Sequence, residues 1–486
     1  MRSLPSRVFG VLSVAGYSDA VQQLRSRDYH DLSPPDLTLI DQDLTRGGHQ
    51  DPGTPKKVVP GWVPLDLRPR YQEVFDRVDA YFNVVESHLP DVEYDRIPAC
   101  TEKKNSPNES RPYINSVVHI KQRTWREVCG NLSSDTTRGS ELRLILDKIV
   151  PGLDDSIDVH IPFGLHDGVQ NVREDNQNQP VVGIMYHSAF SPITVPFAMG
   201  CTRTLNRAKA YMNSPVVGWD DFVQAHYTCN QTAASINKAA FRGRAHYKRS
   251  KYGTCCGSTC QAACDYLDNG RLFAHQMGQE YPDMLDAVVS NVEDFDVGLK
   301  PSNDSFLAYP QQLCQYRAVL NIGSNADWAE RLRTSFFGNA VVMSPRRAPQ
   351  EFFSSFLQPK NGPANWPIKP DLSDMMQQIY DVTHLQDTSS LIRAQRVFAE
   401  EYLTEEFMYL WNQVVIEQFF VRAKEYKQQG RAAYMDMNRR ASRTKYSEWL
   451  LGLEGCSDIT SKCTHRATID PAELLHKPKS GKAGTR

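Results

Sequence analysis

The feature that most constrains this chain is the alternation of short apolar runs with stretches of helical periodicity. In its second half, residues 238–241, 316–322 and 340–343 are apolar runs of strand length, bounded by turn formers and separated by helical stretches. Short strands buried between helices need cover on both faces, which predicts a parallel, doubly wound sheet. In such a sheet, ligands lie beyond the carboxyl ends of the strands. Each predicted strand here ends in groups suited to anions: Arg242-Gly243, then Gly323-Ser324-Asn325, then Ser344-Pro345-Arg346-Arg347.

The same alternation occurs between residues 91 and 232, with predicted strands over 114–120, 157–163 and 180–186, so a second α/β region is expected. Tyr71, Val74, Phe75, Val78, Phe82 and Val85 recur at three and four residues, which predicts a helix over 70–89, opened by Pro69 and closed by Pro90. Helical periodicity returns over 388–427, with a break near Tyr402 and a restart at Thr404. A chain of 486 residues exceeds one ordinary core. The expected organisation is an extended arm over 1–65, an α/β domain over 66–232, a Rossmann-like domain over 233–395, helices over 396–430 and a polar tail over 431–486.

A net charge of -2 gives no global field favouring nucleic acid. No apolar run approaches the roughly 18 residues of a membrane-spanning helix. The short apolar patch over 8–15 lacks the features of a signal peptide. Eleven cysteines and four Asn-x-Ser/Thr acceptors, at Asn108, Asn131, Asn230 and Asn303, suit an oxidising lumen. Cys255, Cys256, Cys260 and Cys264 lack the paired short gaps of a zinc site, so disulfides or buried thiols are expected there. Cys129 and Cys229 are candidate partners for that cluster, with the connectivity open.

Several residues fit the chemistry of group transfer from an activated phosphate. Arg242, Arg244, Lys248, Arg249 and Lys251 follow the first strand of the second region. The guanidinium fork donates two parallel hydrogen bonds to a phosphate, although a solvated basic loop is the plain alternative. Ser324, Asn325, Ala326 and Asp327 read as the capped start of a helix running through Ala329, Leu332 and Phe336, whose amino end can face a phosphate. Asp167 follows an apolar strand in a Gly-flanked loop that can present a carboxylate as a general base. A turn-forming Asp is the alternative, and His166 is a rival base. Trp328, Trp366 and Trp411 are candidates for stacking on a sugar or base, with core packing the stronger reading for Trp411. Tyr186, His187 and Ser188 fit either an acceptor-side lining or a turn.

Six runs, in order, resemble glycosyltransferase family 90, the capsule-associated and protein O-glucosyltransferase group. They are Phe241-Arg242-Gly243; Cys314-x-Tyr316 with Leu320-Asn321; Gly338-Asn339-Ala340-Val341-Val342; Glu351-Phe352-Phe353; Ile368-Lys369-Pro370-Asp371-Leu372-Ser373; and Phe398-Ala399-Glu400-Glu401-Tyr402-Leu403 with Tyr409-x-Trp411. The similarity covers residues 155–425. It implies a GT-B architecture, with two Rossmann-like domains whose parallel sheets face each other across a cleft, plus C-terminal helices. It also implies inverting transfer of glucose or xylose from a UDP-sugar to a protein or glycan hydroxyl, with no cofactor or obligatory metal, in the endoplasmic reticulum or Golgi lumen.

By position, Asp167 of Asp167-x-x-Gln170 matches the catalytic Asp, although Gly168-Val169 replaces the family's aromatic-Pro pair. Arg242, Gly243 and Arg244 fall in the donor-binding signature, with Arg244 standing where the family has a nucleotide-contacting Ser. Arg249 and Arg331 match diphosphate-binding arginines with a one-residue slip each, and Ser324 through Asp327 line the nucleotide. The competing reading is a non-catalytic carbohydrate- or nucleotide-binding protein that retains the fold.

Overall fold

A computed structural model describes residues between 59 and 434, chiefly 65–87, 114–130, 138–165, 179–184, 193–199, 234–245, 270–292, 309–322, 332–345, 351–357, 364–368 and 374–430. Every described residue falls in one compact unit, Val58–Arg486. Most of the expected arm and nearly all of the expected tail lie outside the described residues; of the arm, Val63 is buried in the core, so its last residues belong to the folded unit.

The fold is α/β, built on two five-stranded sheets. Helix α1 (Arg68–Ser87) carries Pro69 in its first turn and buries Tyr71, Val74, Phe75, Val78 and Phe82, the face expected from the periodicity. The first sheet comprises β1 (Ser116–Lys121), β2 (Thr124–Gly130), β3 (Asp158–Gly164), β4 (Val181–Gly183) and β5 (Thr194–Pro196), in the order β2-β1-β3-β4-β5. The pairs β3–β4 and β4–β5 are parallel, whereas β1 pairs antiparallel with both β2 and β3. This sheet is thus mixed, which corrects the expectation of two parallel sheets. The cause is local. Lys121 faces Thr124, so Gln122 and Arg123 alone make the turn, both with positive φ, as a two-residue hairpin requires. Helix α2 (Arg138–Ile149) lies between β2 and β3 and buries Leu142, Ile145, Leu146 and Ile149.

The second sheet comprises β6 (Ile236–Gly243), β7 (Leu285–Val289), β8 (Tyr316–Leu320), β9 (Val341–Pro345) and β10 (Trp366–Ile368), all parallel, in the order β10-β9-β8-β6-β7. Strand order reverses between β6 and β8, the switch point of a doubly wound sheet. Helices α3 (Gly270–Glu280), α4 (Tyr309–Gln315) and α5 (Leu332–Ser335) fall between successive strands, and α6 (Met375–His384) follows β10. Of the helix expected after Asn321, the described part is α5.

Strand alternation divides this sheet between two cores. Ala239, Phe241, Ala318, Leu320, Val341 and Met343 pack with Leu272, Phe273 and Met277 of α3 and Met375, Ile379 and Val382 of α6. Ala240, Val319 and Val342 face the other way, into a core shared with the first sheet, α1 and the last long helix.

Helix α7 (Ser389–Tyr402) ends at the break expected near Tyr402, and α8 (Glu405–Gln429) begins with Thr404 as its cap, whose side chain accepts from Phe407 N at 3.3 Å. Trp411 is fully buried and donates from Nε1 to Pro196 O at 2.8 Å. Asn412 grips Ala198, accepting from its N at 2.6 Å and donating to its O at 2.8 Å. Tyr434, within the expected polar tail, is fully buried and belongs to the core, whereas Ala432 and Ala433 before it are exposed.

Cys229 forms a disulfide with Cys314 at the end of α4, so it does not pair with the Cys255–Cys264 cluster, which lies outside the described residues. Cys129 is also disulfide-bonded. Among the described residues, no helix is long and apolar enough to cross a membrane.

Candidate functional site

The switch point between β6 and β8 is the natural ligand position of the second sheet. Gly243 ends β6, and the exposed Arg244 follows it. Behind them, Arg271 in the first turn of α3 is only 7% exposed. Its Nη1 donates to Arg244 O at 2.7 Å and its Nε to Ile322 O at 3.2 Å, tying the exits of β6 and β8 together. A Cβ on Gly270 would meet Leu372 Cδ1 at 2.9 Å and Ile322 Cγ2 at 3.3 Å, so glycine lets α3 start close against that exit. Asn291, just beyond β7, holds Ala245 from both sides: its Oδ1 accepts from Ala245 N at 2.8 Å and its Nδ2 donates to Ala245 O at 2.9 Å. The first residues of the basic run therefore leave the sheet from a fixed base.

Arg242 is directed elsewhere. Its guanidinium lies back over the sheet, donating to Asp286 O and to Asp286 Oδ2, each at 2.7 Å, and to Phe241 O at 3.0 Å. Tyr316 OH also donates to Asp286 Oδ2. Burial works against ionising Asp286, but hydrogen bonds from Arg242 and Tyr316 and the nearby positive charge hold its carboxyl below the usual range. Burial and the same carboxylate push the Tyr316 phenol up to about 12.

Beyond β8, Asn321 N donates to Met343 O at 2.8 Å, extending the ladder toward β9 by one residue. Asn321 is 4% exposed, and its Oδ1 is buried with no hydrogen-bond partner among the described residues.

In the first sheet, the parallel strands β3 and β4 end together at Gly164 and Gly183. A Cβ on Gly183 would come within 2.7 Å of both Gly164 O and Thr194 Cγ2, so the end of β4 fits between β3 and β5 only as glycine. Leu165 is fixed through both backbone groups: its N donates to Asn115 Oδ1 at 2.5 Å and its O accepts from Arg138 Nη1 at 2.7 Å. The segment carrying His166 and Asp167 thus leaves from an anchored root at the carboxyl end of β3.

Of the residues expected to act, Gly243 and Arg244 stand together at the β6 exit and Arg242 is held by Asp286. Asp167, Arg249, Ser324, Asn325, Ala326, Asp327 and Arg331 lie outside the described residues, as do His166, His187, Ser188 and Trp328. Tyr186 is buried, edge-on to Tyr81 with ring centroids 6.1 Å apart, which is core packing. Trp366 is half-buried and donates from Nε1 to Gln378 Oε1 at 2.7 Å. The sequence reading missed Arg271, Asn291 and Asn321. Asn321 stands in one of the six runs of the family resemblance, without a role assigned to it, and Asn291 carries no signal beyond a polar pair after an apolar run. Among the described residues, no group of three His, Cys, Asp or Glu side chains could hold a metal ion. No protein-family model matches this chain, and no curated protein matches it in sequence.

Proposed function

We propose that this chain is an inverting glycosyltransferase of GT-B type that moves glucose or xylose from a UDP-sugar to a hydroxyl of a protein or glycan acceptor. One observation carries the reading: the basic run beginning at Arg242 leaves the carboxyl end of β6 at the point where strand order reverses, the place where doubly wound sheets bind nucleotides. The ordered resemblance to glycosyltransferase family 90 agrees with that position.

In the reaction, the acceptor oxygen attacks the anomeric carbon from the side opposite UDP. The bond from that carbon to the diphosphate oxygen breaks, the new glycosidic bond forms, and the hydroxyl proton passes to the Asp167 carboxylate. Charge builds on the departing diphosphate, where Arg244, Arg249 and Arg331 stabilise it. Asp167 follows the carboxyl end of β3 and the arginines follow β6 and β8, so base and leaving-group stabilisers come from different sheets. The Cys229–Cys314 disulfide and the four Asn-x-Ser/Thr acceptors support an oxidising lumen such as the endoplasmic reticulum or Golgi.

UDP release from UDP-glucose and UDP-xylose tests the proposal. Turnover is expected with at least one donor, and Asp167→Asn is expected to lower it by about 10²-fold to 10⁴-fold while UDP still binds. Equal turnover by the two proteins would remove Asp167 from its role. UDP binding without any turnover would identify a non-catalytic nucleotide-binding protein.

A further inference from the structure

We infer that Asn321 is a ligand-recognition residue, its carboxamide accepting a hydrogen bond from a neutral O–H or N–H donor of the nucleotide-sugar. The inference rests on the nucleotide-sugar reading of the β6/β8 switch point and adds a residue to it.

Asn321 Oδ1, as the amide is oriented in the structure, is buried and has no hydrogen-bond partner among the described residues, and the residue as a whole is 4% exposed. A buried acceptor that has given up its water is costly, and such groups in native proteins call for a reason. The neighbours level with it are engaged elsewhere. Ala240 pairs with Val319, so two residues further on Arg242 stands level with Asn321, but its guanidinium is taken by Asp286 on the far side of β6. On the other flank, Leu320 pairs with Met343, which puts Ser344 level with Asn321, and Ser344 Oγ accepts from Asn365 Nδ2 at 2.8 Å.

The position of this atom is the second observation. Asn321 is the first residue beyond β8, directly across the switch point from the Gly243–Arg244 exit of β6. The chemistry then narrows the partner. A carboxamide oxygen accepts and cannot donate, and an ionised diphosphate offers no donor. The complementary group is therefore a hydroxyl of the ribose or of the transferred sugar, or the ring N–H of the base.

Equilibrium binding of UDP, UDP-glucose and inorganic pyrophosphate to the full chain, its Asn321→Leu variant and its Asn321→Ser variant tests this. Losing one neutral hydrogen bond should weaken UDP-glucose binding about fivefold to tenfold, while pyrophosphate binding stays unchanged. A loss equal for UDP and UDP-glucose assigns the donor to the nucleoside, and a loss confined to UDP-glucose assigns it to the transferred sugar. Because Asn321→Leu removes an unsatisfied acceptor at similar volume, the ligand-free variant should melt no lower than the parent. Asn321→Ser, with a smaller side chain, keeps the binding comparison available if the leucine does not fit. Unchanged UDP-glucose affinity in both variants overturns the inference and leaves the glycosyltransferase reading standing. Equal losses for UDP-glucose and pyrophosphate with a lowered melting temperature also overturn it, because Asn321 is then structural. A parent chain that binds none of the three ligands overturns the reading and the inference together.

Discussion

Arg422 is 5% exposed in the middle of α8 yet carries a full charge, because one face of α1 is built to receive it. Its Nη1 donates to Glu86 Oε2 at 2.8 Å, and its Nη2 donates to Asp79 Oδ1 at 2.7 Å and to Asn83 Oδ1 at 2.8 Å. Asp79, Asn83 and Glu86 are four and three residues apart, so a single helical face presents all three. Burial disfavours the guanidinium charge, but Glu86 and Asp79 outweigh it and push its pKa well up. The other oxygen of Glu86 accepts from the hydroxyls of Tyr94 and Tyr434, which satisfies the carboxylate. Arg422→Met would leave that acid buried without its cation, and such breakage costs about 3–5 kcal/mol. Adding Glu86→Gln should recover part of the loss. Urea denaturation of the parent, the single variant and the double variant checks this; a loss below about 1 kcal/mol would mean that water already screens the pair.

The junction of α7 and α8 shows how an element boundary is written into side chains. Thr404 is extended (φ −79°, ψ 155°), its oxygen accepts from Phe407 N, and Glu405 and Glu406 occupy the first turn of α8, where the helix dipole favours negative charge. Thr404→Ala should cost about 1 kcal/mol in a denaturant midpoint at unchanged m-value, whereas Thr404→Asp should stay close to the parent. This boundary was legible in the sequence because capping is local, and so was the α1 face, which follows a simple period. Strand β2 was not, since it is an edge strand with no fully buried residue, and its hairpin turn uses Gln122 and Arg123 where Asn and Gly would have signalled it. Nor was β7, whose Asp286 reads as a break until folding brings Arg242 and Tyr316 to it. The same limit applies at the candidate site. The exit of β6 is visible as a basic run after an apolar one, but Arg271 and Asn291 act there on the backbone of Arg244 and Ala245, 27 and 46 residues away in sequence.

At the scale of the molecule, one core runs from α1 through the first sheet and α8 to one face of the second sheet. Arg333 adds a buried tie, with its Nε 3.1 Å from Glu351 Oε2 and its Nη1 donating to Met199 O just beyond β5. Unfolding should therefore expose the tyrosines of this core together, and their titration supplies a readout. Burial pushes the phenols of Tyr71, Tyr81 and Tyr94 well above their ordinary value of 10.0, and it pushes Tyr402 up to about 12. A phenol with a raised folded pKa keeps its proton in the fold and releases it on unfolding. Stability is then fully present below pH 10 and falls as pH rises through 10 toward the folded value, by about 1.4 kcal/mol per pH unit for each such group. Melting temperature should accordingly be insensitive to these groups at neutral pH and drop steeply between about pH 10 and 12. Tyr81→Phe isolates one contribution, because among the described residues its hydroxyl makes a single long bond, 3.4 Å to Glu351 O. That variant should melt near the parent at pH 8 and above it at pH 11. An identical alkaline slope in both proteins would mean that water reaches the Tyr81 ring and that the shared core is more open than its packing indicates.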